Sequence, residues 1–129
     1  MSTATLGEIV DYLDRYLRIA EVPDEAGAVN GLQVENGGVI GGIIAAVDAS
    51  QQTIDGAIAA RAHLAAPPLV LVHHGLFWDG NIAVTGRRYR RLSALMAADS
   101  ALYAAHIPLD VHPEVGNNAV LADKLGLVD

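Results

Sequence analysis

At 129 residues, 52% of them hydrophobic, the chain is long enough to bury one core and is expected to form a single domain over 1–129. A net charge of −7 disfavours nucleic-acid binding, and the absence of cysteine excludes disulfides and thiolate metal sites, leaving histidine and carboxylates as the strong ligands. No basic-then-apolar leader opens the sequence and no apolar stretch approaches the ~18 residues of a membrane span, so the expectation is a cytoplasmic protein with no membrane partner.

The first predicted element is a helix beginning at Thr5. Thr5 and Glu8 have the spacing of a capping box, and Leu6, Ile9, Val10, Leu13 and Leu17 recur on one face. The stretch from Pro23 to Gly38, rich in glycine, asparagine and acidic residues, reads as loop. Three strand-then-helix units follow. Strand Ile40–Val47 ends at Asp48, and Ser50 is placed to cap an alanine-rich helix through Ala62. Strand Leu69–Val72 ends at His73 and His74; a loop from Gly75 to Gly86 leads to a helix over Arg87–Ala98 with Leu92, Leu95 and Met96 inward. Strand Leu102–Ala105 ends at His106, with Asp110 just beyond. A last helix, Asn117–Leu125, is capped by an asparagine and stopped by Gly126. Apolar strands alternating with helices predict an α/β fold, a mostly parallel sheet flanked by helices.

In such sheets ligands bind beyond the carboxyl ends of the strands. Those ends carry Asp48, the pair His73-His74, and His106 with Asp110. Adjacent strand residues point to opposite faces, so both imidazoles reach one site only where the strand breaks, and Gly75 supplies that break. Imidazole with carboxylate suits Zn, Fe, Mn, Co or Ni. His73, His74 and Asp110 are therefore the candidate metal ligands, and His106 is read as a neighbouring proton-transfer residue. A helix-capping role for Asp48 outweighs a ligating one. The run Arg87-Arg88-Tyr89-Arg90-Arg91 is read first as a solvated helix face and second as a clamp for an anionic small-molecule substrate. His63 and His112 are given no role.

These motifs resemble the Nif-three-like dinuclear metal-centre family, whose members carry the name GTP cyclohydrolase 1 type 2 homologues. LVHHGLFW after an apolar strand and YAAHIPLD one unit later carry the likeness, supported in family order by VNGLQVEN, IIAAVDAS and VGNNAVLADKLGL. The resemblance implies a centre of up to two divalent transition-metal ions and assembly into homo-oligomeric rings, often hexamers. It matches His73 and His74 to paired histidine ligands, Asp110 to a carboxylate ligand, and His106 to a histidine beside the metals. Family members carry a second half that completes the centre with a His-x-x-x-Glu helix, a motif this sequence lacks, so the chain is expected to correspond to the N-terminal half. Two functions compete: a metal-dependent hydrolase acting on a nucleotide-like or phosphorylated substrate, and a non-catalytic metal-binding scaffold assembling into rings.

Overall fold

The computed structural model describes residues 2–127. Strand β1 (Ala4–Thr5) runs into helix α1 (Leu6–Tyr16), and the capping box is formed: the Glu8 amide donates to the Thr5 hydroxyl at 3.2 Å while the Thr5 amide donates to the Glu8 carboxylate at 3.1 Å. Strands β2 (Gly31–Val34), β3 (Val39–Ile40) and β4 (Gly42–Asp48) follow, then helix α2 (Gln51–Ala60), strand β5 (Pro68–His74), helix α3 (Gly86–Ala97), strand β6 (Ala101–Ala104), a one-turn helix α4 (Ile107–Asp110) and helix α5 (Asn117–Lys124). Strand β1 pairs antiparallel with β3, and the main sheet has the order β2-β6-β5-β4, with β4, β5 and β6 parallel and β2 antiparallel on the edge.

The side-chain alternation of β5 and β6 divides the core in two. Val70, Val72, Leu102 and Ala104 face α2 and α3 and pack with Ile54, Ala57, Leu92 and Leu95. Leu69, Ala101 and Tyr103 face α1 and pack with Leu6, Leu13 and Leu17. Each fully buried Leu or Val contributes about 1.5–3 kcal/mol of transfer free energy, so β5, covered on both faces and paired on both edges, anchors the fold. Helix α1 does not cover the whole face: Ile43 and Val47 of β4 remain 49% and 62% exposed.

Several expectations change. The segment predicted as loop over Pro23–Gly38 contains the short 3-10 turn Ala26–Ala28 and the edge strand β2. Met96 is 64% exposed rather than inward, because Leu95 takes the core position at 0%. The last helix has Gly116, not an asparagine, at its N-cap, and the Asn117 side chain turns away to the Asp110 carboxylate at 2.8 Å. Ser50 caps α2 through the Thr53 amide, which releases Asp48 from that duty. His112 is buried and structural: its Nε2–H donates to the Tyr16 carbonyl at 3.0 Å, and its Nδ1 accepts from the Glu114 and Val115 amides. Among the described residues no helix is long and apolar enough to cross a membrane.

Candidate metal centre

The carboxyl ends of β5 and β6 carry the polar residues. His73 and His74 are the last two residues of β5, His106 is the N-cap of α4, and Asp110 is the last residue of α4. The turn after His74 is forced by a side chain from the edge strand. Gln33 lies at the register irregularity of β2, between Leu32 and Val34. Its carboxamide donates to the carbonyls of Ala28 (3.0 Å) and Val29 (3.1 Å) and accepts from the Leu76 amide (2.9 Å). It occupies the space where a Cβ on residue 75 would lie, so only glycine fits there while Gln33 stays in place.

The three imidazoles form one group. Ring centroids of His73 and His74 are 4.5 Å apart, His73 and His106 4.9 Å, and His74 and His106 5.6 Å. One ring nitrogen from each lies within 4.8 Å of the others. Every Nδ1 is already committed: His73 to the Ala105 carbonyl at 2.9 Å, His74 to the Asp48 carboxylate at 2.7 Å, His106 to the Asp24 carboxylate at 3.1 Å. These partners are acceptors, so each neutral ring carries its proton on Nδ1 and presents a lone pair at Nε2. Carbonyls and carboxylates on the rear nitrogen are the usual orienting partners of metal-ligating histidines. The donor set therefore fits a divalent transition metal. Asp110 stands beside the group, with Oδ2 3.6 Å from His73 Nε2, and its other oxygen accepts from Asn117.

Asp24, given no role from sequence, is the hub behind His106. Its side chain is 5% exposed and accepts from the Asn30 amide group (3.0 Å), the Ile107 N–H (2.8 Å), the Glu25 N–H (2.7 Å) and the His106 ring. Burial opposes its charge, but these donors outweigh burial and lower its carboxyl from 3.8 to about 2. The sequence holds one signal for it, an aspartate directly after Pro23 in a segment too polar to be core, and that signal alone does not name His106 as the partner.

Glu25, His74, Trp78 and His106 line a cavity of about 380 Å³ over the imidazoles. The Trp78 indole meets the His106 ring edge-on at 4.7 Å and the His74 ring at 6.2 Å, shielding one side of the group from water. The arginine run does not enter this cavity.

Comparison with known proteins agrees with this architecture. The family model described as Duf34/NIF3 (NGG1p interacting factor 3) matches residues 4–129. A Deinococcus radiodurans protein named GTP cyclohydrolase 1 type 2 homolog is 49% identical over 95% of this chain and 44% of its own length; one of the same name from Pyrococcus abyssi is 47% identical over 93% and 45%. A crystal structure of a Thermus thermophilus protein superposes with a TM-score of 0.88 at 44% identity, covering 98% of this chain and 50% of that one. The chain thus spans about half the length of the relatives it matches.

Proposed function

The chain belongs to the Duf34/NIF3 family, and from that premise we propose that it supplies the histidine-rich part of a metal-dependent hydrolytic centre acting on a nucleotide-like or phosphorylated substrate. The observation that carries the reading is the group of three imidazoles, one ring nitrogen of each within 4.8 Å of the others, whose Nδ1 atoms are all held by acceptors and leave the Nε2 atoms free. His73, His74 and Asp110 would hold the ion, and the proximity of His106 favours a ligating role for it as well. Bound there, a divalent transition metal supplies Lewis acidity to water and to a substrate oxygen. The chain's own residues do the rest. Asp24 fixes the proton of His106 on Nδ1 and the ring's direction. Asn117 holds Asp110 toward His73, and Trp78 keeps bulk water from one flank.

The competing reading is a non-catalytic metal-binding scaffold, in which assembly into homo-oligomeric rings is the function. It is favoured by the number of donors: three imidazoles and one carboxylate do not fill the coordination shells of two ions, each of which takes four or more ligands. Metal analysis of purified protein separates the readings from one another and tests both. Bound Zn, Fe, Mn, Co or Ni that disappears in the His73→Ala/His74→Ala variant, with circular dichroism unchanged, is the expected result. Metal content unaffected by that double substitution rejects the site. Two ions per chain together with metal-dependent hydrolysis favours catalysis; at most one ion and no turnover favours the scaffold.

A further inference from the structure

The arginine run, ambiguous in the sequence, separates in the fold into four different situations. Arg87 pairs with Asp79 at 3.6 Å, both largely exposed. Arg90 is exposed, and Arg91 turns to the Ala49 carbonyl at 3.0 Å. Arg88 lines a cavity of about 490 Å³, walled mainly by Ala26, Val29, Phe77, Ile82 and Val84. Its guanidinium is fixed there by the carbonyls of Gly80 (3.0 Å) and Ile82 (3.2 Å) and by the face of Phe77, 5.1 Å from Cζ.

Every one of those partners is neutral. Among the described residues Arg88 makes no ion pair, the neighbouring Asp79 being engaged with Arg87. Its Nε–H, like that of Arg91, is buried and has no acceptor, so what distinguishes Arg88 is its place in the cavity wall. A pre-positioned guanidinium with uncompensated charge, set in an apolar wall, is the arrangement that recognises a phosphate or carboxylate. The cavity also adjoins the imidazole cleft. Ala26, Gly27 and Phe77 line one, and their chain neighbours Glu25 and Trp78 line the other. Gly27 is pressed against Trp78 so closely that a Cβ there would lie 3.2 Å from the Trp78 carbonyl oxygen.

We propose that the Arg88 cavity seats the phosphate end of a phosphorylated small-molecule substrate whose other end reaches the imidazole cleft. The inference rests on the reading of that cleft as the reacting site, and it adds the group that selects the substrate. Trp78, the single tryptophan of the chain, lines the imidazole cleft and packs against Gly27 of the Arg88 cavity, so its fluorescence reports binding.

The test titrates the chelator-treated, metal-free chain with guanosine 5′-monophosphate and with guanosine. The phosphorylated probe is expected to bind about tenfold tighter, the effect of one charge-assisted hydrogen-bonding group. Arg88→Met removes that preference. Val84→Glu, at a half-exposed position lining the cavity, removes it by placing a carboxylate beside the intact guanidinium, and so decides the matter if Arg88→Met fails to fold. Arg90→Met, on the same helix outside the cavity, keeps it. Equal affinity of the two probes for the unmodified chain overturns the proposal. So does a preference that survives Val84→Glu, or one that Arg90→Met abolishes equally. Because the measurement is made without metal, failure of the metal assignment shows in metal content, whereas failure of the Arg88 site shows only here.

Discussion

Replacing Gly75 by alanine adds one methyl group and should displace an entire side chain. The new Cβ would overlap the Gln33 carboxamide, which holds three hydrogen bonds to Ala28, Val29 and Leu76. At about 1 kcal/mol net for each, their loss costs about 3 kcal/mol. The smaller conformational entropy of the unfolded alanine chain offsets about 0.5–1 kcal/mol, leaving Gly75→Ala about 2 kcal/mol less stable. Gln33→Ala removes the same three bonds directly and costs about 3 kcal/mol. In the double variant there is no carboxamide left to displace, so its cost stays near that of Gln33→Ala alone instead of reaching the additive sum of about 5 kcal/mol. Urea denaturation of the four proteins gives the coupling energy, expected to be about −2 kcal/mol. Additive costs would show that Gln33 and Gly75 do not exclude one another, and the account of the turn after His74 would be wrong. Metal content adds a second readout: Gly75→Ala should weaken binding, since it shifts the backbone that carries both histidines.

Two further outcomes follow from groups behind the visible site. Asp24→Ala strips His106 of its carboxylate partner and leaves the Ile107 and Glu25 amides unsatisfied; competition against a chromophoric chelator should show metal affinity falling about 10–100-fold, with a smaller loss for Asp48→Ala, whose carboxylate is 65% exposed. The Tyr103 phenol, pushed up by burial first and then by its hydrogen bond to Asp14, stays protonated in the folded chain while the unfolded phenol ionises near 10. Its contribution is therefore complete below pH 10 and declines above it. Denaturation between pH 10 and 11 should show the unmodified protein losing about 1 kcal/mol more than Tyr103→Phe.

The parts of the fold that were legible in the sequence are those in which near neighbours decide the outcome. Thr5 and Glu8 satisfy each other's backbone amides within one turn, and the Leu69–Val72 run is apolar because both its faces are covered. The paired histidines stand out because they end that strand. What escaped depends on distant chain. Strand β2 is short and bulged at Gln33, it begins with a glycine at φ +105°, and pairing with β6 is what makes it a strand. Asp24 lies 82 residues from His106, and nothing local marks the pair. Met96 fits the helical spacing from Leu92 as well as Leu95 does; packing of α3 against α2 and β6 selects Leu95. The arginine run is uniform as text, and only the path of the 77–84 loop distinguishes Arg88 from its neighbours.

Strand β5 lies inside the sheet, with partners on both edges, whereas the Asp24 segment is held to the chain around His106 through side chains, Asp24 accepting from the Ile107 amide and Asn30 from the His106 amide. Amide protons of such an interior strand exchange with solvent only when the whole domain opens, while a surface segment opens on its own and far more often. The two halves of the candidate centre are therefore expected to run on different clocks in amide exchange, the Leu69–Val72 stretch that leads into His73 and His74 opening with the whole domain and the 24–30 segment behind His106 opening on its own.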